Sequence, residues 1–248
     1  MNCAHIAGSS KGRTSLSESE NFGSIPSPAA NMSKPKIEKI VYFVRHGQSV
    51  GNVTKAFQAP DSPLNEKGME QAQRIAERIA KLSFDALIVS PFSRTRQTAE
   101  AITRATQKNP EYCDLFVERL KPTSINGKPY TDEEASKKWD EWHSSLYDEN
   151  LRVEDGENFT DLVNRADNAL DFLAQRSESN IVVVTHGYFL RTIIARVLLG
   201  ESLTGNSFKH FQKHTEHENA GLTVLYYERD GDETKWRLWI YNDHAHLG

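Results

Sequence analysis

Two short segments of the sequence each place a histidine directly before a glycine, Arg45-His46-Gly47 and Thr185-His186-Gly187. Arg94 and Glu118 add a guanidinium and a carboxyl group. A guanidinium fork matches the oxygens of a phosphoryl group, and a neutral imidazole can attack phosphorus. A carboxyl group can give a proton to the departing oxygen and later take one from water. These residue types predict phosphoryl transfer, in which either imidazole could be the nucleophile.

Each of these residues follows an apolar run that predicts a buried β-strand. The runs cover residues 40–44, 86–89, 115–117 and 181–184. They are continuous rather than alternating, which is typical of parallel strands covered on both faces. The carboxyl ends of parallel strands meet at one edge of a sheet, where helix N-termini also gather. We therefore expect the two histidines, Arg94 and Glu118 to lie close together.

The segments between the predicted strands have the period of amphipathic helices. One helix is expected after Asn65, a second from Ser93, a third from about Glu157, and a fourth, deeply buried, from Tyr188 to Leu199. Residues 222–228 and 235–241 flank a turn and predict a hairpin. The alternation predicts an α/β fold with a mainly parallel central sheet and helices on both faces.

A polar stretch at about 120–155 interrupts this alternation. It contains one amphipathic helix that carries Trp139 and Trp142, so it predicts a small helical cap or lid over the site. The two tryptophans are explained either by core packing or by contact with the substrate. Acidic residues outnumber lysines in this helix, and we expect the lid to disfavour a very highly anionic substrate.

Length and composition exclude several classes of protein. A chain of 248 residues can build a core without disulfides or metals, and its two cysteines, Cys3 and Cys113, are far apart. The net charge of −4 includes no basic block, so neither nucleic acid nor an anionic membrane is an expected partner. No apolar run approaches the roughly 18 residues of a membrane span. These features predict a cytoplasmic protein and leave its oligomeric state open.

The first 36 residues are rich in Ser, Gly, Asn and Pro and have no apolar periodicity. We expect residues 1–36 to form a disordered tail and residues 37–248 to form one domain. Two alternatives remain open, in which Met32 is the true start or the tail is a weak transit peptide. Glu18 and Glu20 count against the transit peptide.

From about residue 37 to 247, the chain resembles the histidine phosphatase superfamily, which includes the cofactor-dependent phosphoglycerate mutases. The resemblance rests on residues 45–52, 61–68, 90–98, 185–187 and 242–247. It implies a phosphoglycerate mutase-like fold and a reaction that needs no metal or organic cofactor. It also implies that His46 becomes phosphohistidine and that Glu118 donates the proton. The residues expected to bind the phosphoryl group are Arg45, Asn52, Arg94, His186 and Gly187.

The favoured function is a phosphoric monoester hydrolase that acts on small phosphorylated metabolites through a phosphohistidine intermediate. A mutase, a protein phosphatase and a noncatalytic phosphate-binding module are the alternatives. The segment from Glu118 to His186 lacks the long insertion of a mutase, and residues 118–122 lack the glycine-containing continuation. Both histidines and both arginines are present, which argues against a degenerate binding module because buried unpaired charges are costly.

Three local alternatives concern residues near these motifs. Glu118 could pair with Arg119 on the surface instead of serving the site. Arg96 competes with Arg94, although we expect Arg96 to be a solvated helix residue. A third possibility is a zinc site, because His210, His214 and His217 have the spacing of one helical face, but we expect these to be surface residues without a metal.

Overall fold

A computed structural model describes residues 35–148 and 151–248. The strands are β1 (Lys36–Arg45), β2 (Ala86–Val89), β3 (Pro110–Tyr112), β4 (Asn180–Thr185), β5 (Leu222–Asp230) and β6 (Glu233–Asp243). The helices are α1 (Val50–Val53), α2 (Glu66–Ile79), α3 (Ser93–Thr106), α4 (Glu133–Ser144), α5 (Phe159–Gln175), α6 (Gly187–Leu199) and α7 (Gly205–His214). No helix in the described ranges is long and apolar enough to span a membrane.

The six strands form one sheet in the order β3-β2-β4-β1-β5-β6. The pairs β3-β2, β2-β4 and β4-β1 are parallel, while β1-β5 and β5-β6 are antiparallel. The predicted α/β fold with a mainly parallel central sheet is therefore confirmed. The antiparallel part contains the predicted C-terminal hairpin, so β1 has a parallel neighbour on one side and an antiparallel neighbour on the other.

Apolar side chains of the central strands point alternately into two cores. Val41 and Phe43 of β1 pack into the core that contains the buried faces of α5 and α6. Val44 of the same strand packs into the core beneath α2 and α3. Because both faces of the sheet are covered, the central strands need apolar residues at successive positions. This explains the continuous apolar runs in the sequence.

Two of the predicted helices begin at an asparagine whose side chain caps the helix N-terminus. Asn65 caps α2, where its side chain accepts a hydrogen bond from the Gly68 backbone N–H at 2.8 Å. Asn158 caps α5 in the same way, with the Asp161 N–H as donor at 3.0 Å. Helix α6 is buried along most of its length, but Leu198 and Leu199 at its end are exposed. Its deep burial therefore stops one turn before the predicted end.

The prediction of a strand at 115–117 is wrong. Residues Asp114–Phe116 form a turn of 3₁₀ helix, and the third strand is the short β3 at Pro110–Tyr112. Phe116 is nevertheless fully buried in the core beside α5 and α6. A run of three apolar residues reports burial but cannot distinguish a strand from a helical turn.

The segment between Glu118 and α5 contains α4 and a short 3₁₀ helix, Thr123–Ile125. Ile125 and Ala135 form a small apolar cluster with Phe57, against which Trp139 packs. This cluster is separate from the two cores on the sheet. The predicted tail at 1–36 lies outside the described residues except for its last two positions, of which Lys36 already begins β1.

Candidate active site

His46 and His186 lie side by side at the carboxyl ends of two neighbouring parallel strands. The register that pairs Arg45 of β1 with Thr185 of β4 places both histidines one residue beyond the sheet. Their ring centroids are 5.1 Å apart, and the residues are 2% and 0% exposed. The structure therefore brings together the two imidazoles that the sequence predicts to share one site.

The hydrogen bonds of His46 fix its tautomer. Nδ1 lies 2.7 Å from the Gly47 carbonyl oxygen, which can only accept, so Nδ1 carries the hydrogen. The other nitrogen, Nε2, accepts from Arg94 Nε at 3.2 Å. Burial, followed by the charges of Arg94 and Arg45, holds the pKa of His46 well below 6.5. His46 is therefore a neutral imidazole with its Nε2 lone pair directed at a guanidinium.

His186 is held by a hydroxyl group and an aromatic ring. Its Nε2 lies 2.8 Å from Ser90 Oγ, and its ring centroid is 5.2 Å from that of Phe92. When Ser90 donates to Nε2, Nδ1 carries the hydrogen, and this buried Nδ1 has no partner within the described protein. Burial, then the charge of Arg94, holds the pKa of His186 well below 6.5. In that tautomer His186 has a buried hydrogen-bond donor that is available to a ligand.

Two arginines place positive charge around the imidazole pair. Arg94 is on the first turn of α3, is 3% exposed, and also donates to the Ala59 carbonyl at 3.3 Å. Arg45 ends β1 and donates to the His217 carbonyl, while its buried Nε has no partner within the described protein. Burial lowers the pKa of Arg94 to about 10 and also lowers that of Arg45. Both guanidiniums remain cationic at neutral pH and would gain from an anion.

Gly187 begins α6 and lies against Arg45. A Cβ atom at this position would come within 2.9 Å of Arg45 Nε. The glycine is therefore needed for the position of the guanidinium rather than for a special backbone angle. It follows His186 at the point where β4 ends and α6 begins.

Substitution Gly187→Ala is expected to reduce kcat/KM by about tenfold to a hundredfold, the effect of one lost charge-assisted hydrogen bond. The new methyl group displaces Arg45, while the free energy of unfolding changes little because alanine favours helix and the displaced group is a flexible side chain. Kinetics and urea denaturation measure the two effects separately. A variant that loses stability but keeps wild-type kcat/KM would contradict this role of Gly187.

Glu118 lies at the N-terminus of α6, not in a surface pair with Arg119. Its two carboxyl oxygens accept from the backbone N–H groups of Tyr188 at 3.2 Å and Phe189 at 2.9 Å. Arg119 is buried and directs its guanidinium away, to the carbonyls of Trp142 and Glu157. The side chain of Arg119 therefore links α4 to the residue before the cap of α5 through hydrogen bonds. Glu118 lines the cavity instead.

A cavity of about 460 Å³ is lined by Arg94, the hydrogen-bond partner of His46, whereas His46, His186, Arg45 and Gly187 do not themselves line it. Arg94, Glu118 and Asn52 line it, together with Phe92 and Lys121. Asn52 holds its place because its side-chain oxygen accepts from the Ser49 N–H at 2.9 Å. The cavity's wall from the 120–155 segment includes Thr123, Asn126, Tyr130, Trp139, Trp142, His143 and Asp155.

Lys121 was not identified by its sequence context, although it is only three residues from Glu118. Its ammonium group donates to the Gln58 carbonyl, and it is close enough to Arg94 and Glu118 to interact with both charges. Burial, then repulsion from Arg94, lowers the pKa of Lys121 to about 8. Lys121 therefore supplies a third cation to the cavity, one that is lost when the pH rises above about 8.

We expect kcat/KM for the dianion of a phosphomonoester substrate to fall as the pH rises through about 8, because deprotonation removes the charge of Lys121. The kcat/KM profile reports groups of the free enzyme, so this limb belongs to Lys121 before substrate binds. In Lys121→Met the limb should disappear and kcat/KM at pH 7 should be about tenfold lower. In Lys121→Arg the charge should persist to higher pH. The control is Lys67→Met, which removes an exposed lysine and should keep the decrease above pH 8. If this decrease is also unchanged in Lys121→Met, the assignment to Lys121 is wrong.

The remaining alternatives are settled by geometry. Arg96 is exposed, with its guanidinium 4.3 Å from the ring centroid of Tyr112, and it does not line the cavity. His210 and His214 are on α7, whereas His217 lies beyond the helix and is buried against Thr223. The three histidines therefore do not share a helical face. Within residues 35–148 and 151–248, no group of three or more potential metal ligands is found.

Trp139 and Trp142 combine the two roles considered for them. Trp142 is buried, donates to the Glu157 carbonyl at 3.1 Å and stacks under Arg119, which explains it as a packing residue. Both tryptophans also line the cavity. The acidic residues of α4 that we expected to influence substrate charge do not line this cavity, so they have no direct contact with its contents.

Besides Lys121, three further contributors to the site were not predicted. Ser90 and Phe92 lie in the strand-to-helix segment that contains Arg94, so their position after a buried strand was a usable signal. The His217 carbonyl, which accepts from Arg45, had no signal, because a main-chain atom from a distant loop is independent of its side-chain type.

Several known proteins are similar to this chain. A model of the histidine phosphatase superfamily (branch 1) matches residues 41–242. A protein of Proteus mirabilis named "Probable phosphoglycerate mutase GpmB" is 35% identical over 170 residues, which cover 64% of this chain and 74% of that protein. The Yersinia pestis protein of the same name is 30% identical over 212 residues, which cover 84% and 94%.

Solved structures show the same fold at lower identity. A mycobacterial glucosyl-3-phosphoglycerate phosphatase is 21% identical and superposes with a TM-score of 0.65, covering 83% of this chain and 100% of its own. A phosphoserine phosphatase of Entamoeba histolytica is 22% identical with a TM-score of 0.66, covering 84% and 99%.

Proposed function

This chain belongs to the histidine phosphatase superfamily (branch 1), and on that premise we propose that it is a phosphomonoesterase. The proposed substrates are small phosphorylated metabolites of the cytoplasm, and the proposed intermediate is phosphohistidine at His46. We further propose that residues of about 120–155 form a cap over the cavity. The cysteine usage of the sequence supports the cytoplasmic setting.

The observation that carries the proposal is the arrangement around His46. Its Nε2 is the unprotonated nitrogen of a neutral imidazole, and its lone pair accepts a hydrogen bond from Arg94 Nε at 3.2 Å. Arg45 Nε and His186 Nδ1 are buried nitrogen atoms without partners in the described protein, and the His186 ring lies beside that of His46. Buried donors normally have partners, so a cluster that lacks them favours an anion bound between them.

The proposed reaction follows from these positions. His46 Nε2 attacks phosphorus, a nitrogen–phosphorus bond forms, and the bond from phosphorus to the ester oxygen breaks. Arg45, Arg94, Asn52, His186 and the backbone beside Gly187 bind the phosphoryl oxygens and stabilise the charge that develops on them. Glu118 gives its proton to the departing alcohol. It then takes a proton from water, which attacks the phosphohistidine and releases inorganic phosphate.

A mutase is the second candidate, because relatives with 30–35% identity are named as phosphoglycerate mutases. The distinguishing step is whether water or a second hydroxyl group receives the phosphoryl group. A panel of phosphorylated metabolites in H₂¹⁸O, with interconversion of 2- and 3-phosphoglycerate assayed in parallel, separates the two. We expect inorganic phosphate that contains one ¹⁸O atom and no interconversion. Interconversion without release of phosphate would favour the mutase, and binding without either reaction would favour a noncatalytic module.

A further inference from the structure

The cavity has an aromatic wall, defined here as Phe57 together with Tyr130, Trp139 and Trp142 of the 120–155 segment. The ring centroids of Tyr130 and Phe57 are 4.8 Å apart, those of Phe57 and Trp139 5.1 Å, and those of Trp139 and Trp142 4.9 Å. The four rings are therefore continuous. They line the same cavity as Arg94 and Glu118, so a group joined to the phosphoryl oxygen can reach them.

Core packing does not account for the whole wall. Tyr130 is 51% exposed, and Trp139 is only partly buried. A second hollow, of about 240 Å³, lies against Phe57, Tyr130 and Trp139 and is also lined by Ser136 and Asp140. The rings of Tyr130 and Trp139 thus border open space in two hollows. Aromatic faces left open beside charged groups are typical of sites that bind the apolar part of a ligand.

The cations beside the wall are mostly engaged by other groups. Among the described residues that line the cavity, the cations are Arg94, Arg119 and Lys121. Arg119 donates to main-chain carbonyls through Nη2 and lies 3.8 Å from the Trp142 ring, while its buried Nη1 has no hydrogen-bond partner in the described protein. Lys121 is near Arg94 and Glu118, at the phosphoryl end. The carboxylate of Asp155 would repel a distal anion.

We propose that the aromatic wall selects phosphomonoesters whose alcohol carries a flat, uncharged aromatic group, and that Trp139 is the main specificity-determining residue. This inference rests on the proposed phosphatase function and defines its substrate class. The cavity volume of about 460 Å³ is large enough for such a group, since pockets for drug-sized ligands occupy about 300–1,000 Å³. The ring would stack on Trp139 while the phosphoryl group contacts Arg94.

The test compares 3-phenylpropyl phosphate with propyl phosphate. Both release a primary alcohol of similar acidity, so a difference in kcat/KM reports binding of the ring rather than the quality of the leaving group. We expect the wild type to prefer the phenyl ester by about tenfold or more, as an aromatic contact of this kind would give. Trp139→Ala and Tyr130→Ala should lower this preference, and Trp139→Phe should restore part of it. The control is Trp239→Ala, on β6, where the tryptophan is exposed and outside the cavity.

Each outcome bears on the inference. Loss of preference in Trp139→Ala and Tyr130→Ala, with kcat/KM falling more for the phenyl ester than for propyl phosphate, would support it. Tyr130 is largely exposed, so its variant gives a result even where Trp139→Ala destabilises the cap. If the wild type hydrolyses both esters equally, or the cavity variants keep the full preference, the aromatic selection is wrong but the phosphatase stands. Failure to hydrolyse either ester or any metabolite would instead contradict the proposed function.

Discussion

Replacement of His46 by alanine is expected to abolish turnover, with kcat lower by about 10⁴-fold or more, as when a catalytic nucleophile is removed. In the proposed reaction the lone pair of His46 Nε2 forms the bond to phosphorus, whereas Nε2 of the neighbouring His186 lies 2.8 Å from Ser90 Oγ. The Nδ1 of His46 is fixed by the Gly47 carbonyl at 2.7 Å, so the nucleophile is oriented before substrate binds. The measurement is phosphate release under saturating substrate.

The control for this variant is His210→Ala, which removes an exposed imidazole on α7. Circular dichroism and urea denaturation should show that His46→Ala keeps the fold, because the rest of the buried site is unchanged. Because burial keeps the pKa of His46 well below 6.5, lowering the pH from 7.5 to 6.5 should leave the nucleophile unprotonated. Turnover by folded His46→Ala within tenfold of the wild type would exclude His46 as the nucleophile.

Replacement of Glu118 by glutamine is expected to lower kcat/KM for an alkyl phosphate by about 10²- to 10⁴-fold, the usual contribution of a general acid. The same variant should lose less than about tenfold with an aryl phosphate such as p-nitrophenyl phosphate, because that leaving group needs no proton. The carboxyl group is held at the N-terminus of α6 by the N–H groups of Tyr188 and Phe189. The ratio of the two losses is the quantity to measure.

Glu118→Ala should give the same ratio, and the exposed Glu201→Ala serves as a control for loss of a carboxylate. Formation of the phosphoenzyme should be slowed for the alkyl ester, while its hydrolysis should be slowed for both esters. Equal losses with alkyl and aryl substrates in single-turnover measurements would remove Glu118 from the role of proton donor to the leaving group.

Most of the sheet and its connections could be predicted because a strand that is buried on both faces has apolar residues at successive positions. The runs at 40–44, 86–89 and 181–184 are apolar at every position, and each became a parallel strand. His46 and His186 each follow such a strand, so their proximity followed from topology. The run at 115–117 was wrongly predicted as a strand because Phe116 is buried although it belongs to a 3₁₀ turn. Three residues are too few to distinguish the periodicity of a strand from that of a helix.

The site's outer parts were less predictable, because their positions depend on packing across the chain. Lys121 becomes a cavity residue only because its ammonium group reaches the Gln58 carbonyl. Trp139 and Trp142 have helical spacing that predicts an apolar face, but spacing alone does not reveal that the face borders a cavity. A surface pair between Arg119 and Glu118 was only one alternative from the sequence, and the folded chain shows Arg119 buried against Trp142.

In the proposed reaction the phosphoryl group passes through His46. Rapid mixing with a ³²P-labelled phosphomonoester, alkaline quenching and peptide mapping by mass spectrometry reveal whether this intermediate forms. We expect an acid-labile, base-stable phosphoryl group on His46 that forms and decays at rates consistent with kcat and is absent in His46→Ala. Label on a different side chain, or steady phosphate release without any labelled enzyme, would contradict the claim.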